Sequence, residues 1–283
     1  MYEKVNPSHP DKVADRVAGA LVDLAYKKCG NPRIAVEVLL GHGQATVMIE
    51  SSEDFSKEEV VPIVERIAGD MVVNLVCVKQ DEHLAKNQEG AIRCGDNGIF
   101  KGAPITGEQE TLFNLAKFIY EKHPFDGKYV SSGGFLDRKA VICQSNLTRE
   151  DEEDLLDMVE MLFSYRDIDM NPLGAWTGGP DVDCGATNRK LGSDMGDGVT
   201  GGGLHGKDLS KANVSVNIVC FLLANDAERV YTASCAIGDT EITFFDERGK
   251  SVVMKYEEVV KMAKRYIQRC GGFERFAEWG LIR

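Results

Sequence analysis

The chain has 283 residues, of which 43% are hydrophobic and 28% charged, with a formal charge of −12 and eight cysteines. That length buries a large core, and the composition excludes disordered, collagen-like and low-complexity classes. The acidic balance argues against nucleic-acid binding through a general positive field, so a polyanionic ligand would need a local cluster of cations.

The opening MYEKVNPSH lacks the apolar run of a secretory leader. The longest apolar stretch, 214–224, is interrupted by Ser215 and Asn217 and is too short to cross a bilayer, so a soluble, cytoplasmic protein without a membrane partner is expected. Val13, Val17, Leu21 and Leu24 then recur at helical spacing, which predicts a helix over 10–28 with Pro10 in its first turn. His9, Asp11 and Lys12 crowd its start, where free N–H groups and the helix dipole favour an anion. A charged, solvated helix start and a phosphate and metal site both fit these residues.

Strands are predicted at 33–40 and 44–51 across the turn Gly41-His42-Gly43, with Glu37 and Glu50 set in otherwise apolar sequence. Each acid is expected either to meet a cation or to face solvent. Ser56 with Glu59 three residues on is a capping box for the next helix. The polar, glycine-rich stretch 79–107 follows, where CGDNG presents Asp96 on a tight turn. A helix over 108–122, strand KYVSS, a Gly133-Gly134 turn, strand RKAVICQ and a helix capped by Thr148 form the next set. The last set is a helix over 210–224, strand RVYTASCAI, a Gly238-Asp239 turn, strand EITFFDE and a helix over 256–270.

The order helix, strand, strand, helix thus occurs three times, roughly one hundred residues apart. It predicts an α+β fold of three similar subdomains in pseudo-threefold arrangement, bounded at 1–98, 99–172 and 173–283. A Rossmann pattern is not expected, because the alternation for βαβ crossovers is missing and no G-x-G-x-x-G follows a strand. Without a C-x-x-C pair, neither structural zinc nor a disulfide framework is expected.

The loop NPLGAWTGGPDVDCGATNRKLGSDMGDGVTGGGLHGKDLSK (171–211) carries Arg189, Lys190, Lys207 and Lys211 among closely spaced glycines, as phosphate binding requires. Trp176, Asp181 and Asp183 in the same stretch do not suit a plain linker. Gly201–Asp208 comes close to a P-loop, but Asp208 stands where Ser or Thr should bind magnesium and no apolar strand precedes it.

Taken together, Glu3, SHPDK, Glu37 with Glu50, CGDNG, Asp126-Gly-Lys128, NPLGAWTGGPDVDCGATNRK and GGGLHGKDLSK resemble, in order, the motifs of S-adenosylmethionine synthetase. The resemblance implies three similar α+β subdomains and attack of the methionine sulfur on C5′ of ATP, with the triphosphate expelled and hydrolysed to pyrophosphate and phosphate. It implies that His9 stabilises departing charge, that Lys12, Lys128, Arg189, Lys190, Lys207 and Lys211 contact the triphosphate, and that Asp126 holds the ribose. Trp176 would stack on adenine and Asp183 would hold the methionine amino group. Glu50, Gln88 and Asp96 would reach the methionine and adenosine region from a partner subunit.

Asp11 would bind one of two Mg2+ ions, Glu37 would hold K+, and Glu3 would lie near the nucleotide. Asn213 stands where the family usually has a magnesium-binding Asp. The loop between Gln88 and Asp96 is shorter than is usual for the family, as is the whole chain, which favours a homodimer with active sites between subunits over a tetramer. Two readings from other classes remain open at this point: a non-catalytic nucleotide-binding paralogue, and a hydrolase of tripolyphosphate or a P-loop-like ATPase.

Overall fold

The computed structural model describes residues 1–87, 90–133 and 137–283, so Gln88 and Gly134 lie outside the described residues. The chain opens with β1 (Tyr2–Val5) and α1 (Pro10–Lys28), followed by β2 (Ile34–Gly41), β3 (Gln44–Ser51), α2 (Lys57–Ala68) and β4 (Val72–Lys79). Then come α3 (Glu82–Asn87), β5 (Gly98–Gly102), α4 (Gly107–Lys122), β6 (Gly127–Ser132), β7 (Lys139–Gln144), α5 (Arg149–Leu162) and β8 (Asp167–Met170). The last part contains β9 (Gly185–Ala186), α6 (Leu191–Met195), α7 (Ala212–Ala227), β10 (Tyr231–Cys235), β11 (Glu241–Asp246), β12 (Ser251–Lys255), α8 (Tyr256–Cys270) and α9 (Phe273–Trp279). No described helix is long and apolar enough to cross a membrane.

Local chemistry explains the principal starts. His9 caps α1 by accepting from the Asp11 amide, with Pro10 just inside. Ser56, Thr106 and Thr148 each form a capping box, satisfying amide groups that a helix start leaves free. Helix α7 is apolar almost all round, and burial of Val214, Val216, Ile218, Val219 and Cys220 overrides the strand preference of its β-branched residues.

The strands form three four-stranded sheets, ordered β1-β6-β7-β8, β12-β11-β10-β5 and β4-β3-β2-β9. Each contains an antiparallel hairpin, extended to a three-stranded meander in β10-β11-β12, and one edge strand of each sheet comes from a distant part of the chain. β1 pairs with β6, β5 with β10, and β9 with β2, all antiparallel. The expectation that βαβ crossovers are absent is corrected here. β3 reaches its parallel neighbour β4 through α2, and β7 reaches β8 through α5. VVNLVCVK and DIDM are half-exposed edge strands, so neither carries the continuous apolar run of a central parallel strand.

Two apolar cores result. The larger joins α1, β2, β3 and α2 to α7, β10, β11, α8 and α9; the smaller packs α4, β6, β7 and α5 around Leu112, Leu115, Tyr129 and Ile142. Trp279 belongs to the second core while neighbouring Phe276 belongs to the first, so α9 bridges them. Lys4, on β1, donates to the carbonyls of Ser193, Trp279 and Ile282 and ties both chain ends to one point.

Candidate active site

The start of α1, the strand β6 and the loop leading into β9 meet at one cavity. Gly185 makes this possible: a Cβ there would lie 2.0 Å from the Pro10 carbonyl oxygen, so only glycine lets β9 press against the first turn of α1. The contact brings the Ala186 amide to Asp11 Oδ1 at 2.9 Å. Three residues on, Arg189 Nε lies 3.5 Å from Asp11 Oδ1 and Lys190 Nζ 3.3 Å from Asp11 Oδ2.

On β6, Lys128 Nζ meets Glu3 Oε2 at 3.0 Å, a pairing set by the β1–β6 register. The cavity has a volume of about 460 Å³, and its lining includes His9, Asp126, Lys128, Asp183, Asn171 and Trp176. Trp176 forms its apolar wall and donates its indole N–H to Asn171 Oδ1 at 3.1 Å, which fixes the ring.

Burial sets the electrostatics. It pushes the His9 imidazole down to about 4, with Asp11 opposing and Lys190 and Lys128 reinforcing. The ring is therefore neutral at pH 7. Because its Nδ1 accepts from the Asp11 amide at 3.2 Å, Nε2 carries the proton and His9 is a hydrogen-bond donor, not a cation. Burial likewise raises the Asp126 carboxyl to about 6, although the Gly179 N–H donates to it at 3.1 Å. Asp183, across the cavity, and Asp11 add to that rise.

The structure places the other expected site residues elsewhere. Asp96 Oδ1 lies 3.9 Å from Lys211 Nζ, while its Oδ2 is buried without a partner. Lys211 and Asn213 stand at the N-terminus of α7, and Asn213 Oδ1 fills the space beside Gly202. Ala35 pairs with Glu50 on β3 and bridges to Lys207 on its other side, so these two flank β2. Glu37 accepts a hydrogen bond from the Thr187 hydroxyl rather than from a cation.

Lys12 departs from expectation. Its ammonium does not face the cavity; it is fully buried, 3.0 Å from Asp15 Oδ2, 2.7 Å from Asp194 Oδ2 and 3.3 Å from His205 Nε2. Burial alone would lower its pKa, but Asp15 and Asp194 outweigh that and raise it above the ordinary lysine value. Asp15, Asp194 and His205 offer ligand atoms within 4.8 Å of one another and could hold a metal ion; here the Lys12 ammonium stands among them. Sequence reasoning missed this cluster. Asp15 at three residues from Lys12 was the available signal, whereas Asp194 and His205 lie in glycine-rich sequence without a pattern. The P-loop reading also fails, since Asp208 is buried and accepts from the Ile34 and Ser210 amides, holding the loop to β2.

No family model matches the chain. It is 26% identical to S-adenosylmethionine synthase 2 of Rhodospirillum rubrum and to the S-adenosylmethionine synthase of Granulibacter bethesdensis, in each case over 79% of this chain and 71% of the relative. The synthase of Nitratidesulfovibrio vulgaris is 25% identical over 75% and 68%. The fold matches an unusual S-adenosylmethionine synthetase from Campylobacter jejuni with a TM-score of 0.76, at 19% identity, over 99% of this chain and 94% of that one.

The chain is similar in sequence and in fold to S-adenosylmethionine synthetases, as a divergent relative. Its HPDK segment sets the imidazole at the cavity and the acid behind it against Lys190, while its lysine serves the interior.

Proposed function

We propose that the protein is a methionine adenosyltransferase, joining the methionine sulfur to C5′ of ATP by direct displacement, with the triphosphate then hydrolysed to pyrophosphate and phosphate. One observation carries the reading: His9, Asp126, Lys128 and Asp183, from separate segments of the chain, line one cavity with a fixed indole, and Asp11 beside His9 carries Arg189 and Lys190.

Lys128, Arg189 and Lys190 bind the leaving triphosphate, and the His9 Nε2–H hydrogen-bonds the oxygen on which charge develops. Trp176 stacks on adenine, Asp126 takes the ribose and Asp183 the methionine ammonium. Asp11 is the residue for Mg2+, with Asn213 beside a second, and Glu37 the residue for K+; bound Mg2+ would neutralise phosphate charge as it develops. Positioning and electrostatics suffice, without a covalent enzyme intermediate.

Lys207 and Lys211 join the triphosphate contacts, and Glu50, Gln88 and Asp96 complete the site from a partner subunit in a homodimer. For Glu50 and Asp96 this assignment is supported by their location on other elements and by the unpartnered, buried Asp96 Oδ2. The repeated sheet pattern supports three pseudo-threefold subdomains, which we bound at 1–98, 99–172 and 173–283.

The test is incubation with ATP, methionine, Mg2+ and K+, followed by mass-spectrometric detection of S-adenosylmethionine and assay of phosphate and pyrophosphate. His9→Ala should lower kcat by ~10²–10³ with little change in ATP affinity, because its contact strengthens in the transition state. Phosphate release without the sulfonium product would refute the proposal, and unchanged turnover in His9→Ala would remove that residue from it.

A further inference from the structure

Cys94 and Cys235 lie 141 positions apart in sequence, yet their sulfurs are 3.1 Å apart. Neither is in a disulfide. The separation is about 1 Å more than the ~2.05 Å of a disulfide bond. Hydrogen-bonded backbone sets the approach on both sides. The Cys94 amide donates to the Asp239 carbonyl at 2.9 Å and its carbonyl accepts from the Gly238 amide at 2.8 Å, while Cys235 sits on β10 opposite Gly98 of β5. The turn after β10 therefore holds one cysteine beside the other without strain from a flexible loop.

We infer that Cys94 and Cys235 are a reversible redox-modification site, closing a disulfide when a hydroperoxide reaches the half-buried sulfur of Cys235. The inference stands apart from the activity proposed above. Cys235 Sγ attacks one peroxide oxygen and the O–O bond breaks, leaving a sulfenic acid on Cys235 and releasing one water. Cys94 Sγ then attacks the Cys235 sulfur, and the S–O bond breaks as its hydroxide leaves with the Cys94 proton as a second water. The two thiols lose two electrons and two protons, and hydrogen peroxide is reduced to water. A dithiol reverses the bond by exchange.

Cys94 suits the second step. The contact between the two sulfurs holds the Cys94 thiol below the usual range and, with burial, pushes Cys235 up, so Cys94 is the readier thiolate for the second attack and the attack of Cys235 on peroxide is the slow step. Cys94 itself is wholly buried, which protects it from direct over-oxidation. The site also touches Asp96: both sulfurs lie against its carbonyl oxygen, at 3.1 Å from Cys94 and 3.4 Å from Cys235. Disulfide formation removes both S–H donors from the turn that presents the Asp96 carboxylate beside Lys211.

The full-length wild-type chain, reduced and then exposed to hydrogen peroxide, is acid-quenched, unfolded, alkylated and digested. The expected result is a peptide pair joined through Cys94 and Cys235, loss of alkylation at these two alone among the buried and half-buried cysteines, and full recovery on adding dithiothreitol. Cys94→Ser should leave Cys235 as a trapped sulfenic acid, captured by dimedone. Alkylation of Cys94 and Cys235 that persists while exposed Cys77 and Cys184 are oxidised would overturn the inference. So would a joined pair that dithiothreitol does not reopen. The wild-type readout needs no substitution, so a poorly folding variant does not blunt the test.

Discussion

Asp126→Asn should make the protein more stable at alkaline pH and not at acid pH. The carboxyl has an ordinary value of 3.8 and is raised to about 6, chiefly by burial beside Asp183 and Asp11. At ~1.36 kcal/mol per tenfold change in proton activity, that displacement corresponds to about 3 kcal/mol. The folded state binds the extra proton between pH 3.8 and pH 6, so stability falls as pH rises through that window, and the whole cost is present above it.

Asparagine keeps an acceptor for the Gly179 N–H but carries no charge. It should therefore raise the unfolding free energy by ~1–3 kcal/mol at pH 8 and by less than ~1 kcal/mol at pH 4, read from urea titrations of both proteins. Equal differences at the two pH values, or a variant less stable at pH 8, would refute the reasoning. The expected result would mean that the charged carboxylate is kept against the fold's own interest, as a ligand contact requires.

Lys12→Met removes the cation shared by Asp15 and Asp194 and leaves the two buried acids with only the Asn188 amide and the His205 ring; a loss of ~3–5 kcal/mol in the same titration is expected. A loss below ~1 kcal/mol would show the cluster to be solvated. Asp23 accepts from the Phe273 and Glu274 amides at 2.9 Å and caps α9 from the side of α1. Asp23→Ala should cost ~0.5–2 kcal/mol and lower the melting temperature, with exchange of the α9 amides accelerated first in hydrogen-exchange mass spectrometry.

Helices and hairpins were legible because period and capping are local properties. Ser56 and Thr148 announce helix starts within four residues, and the alternation in RIAVEVLL can serve only a half-buried strand. Strands β1, β5 and β9 were not legible. They are short, and their partners lie at least 120 residues away in two cases and more than 140 in the third, where no sequence window reaches. In the candidate site, residue types pointed to His9, Lys128 and Arg189, but which way Lys12 faces depends on Asp194, nearly two hundred positions later. That choice is made by tertiary packing: a buried ammonium with two carboxylates outcompetes one exposed at the cavity mouth.

The traded edge strands interlock the three sheets like links in a closed ring. A fragment ending at residue 98 would retain β2–β4 without β9 and carry β1 with nothing to pair it, and each other fragment would have a comparable exposed edge. No third of this molecule is a free-standing piece; it should melt as one cooperative body, and loss of a two-residue strand at Gly185 would be felt across the whole.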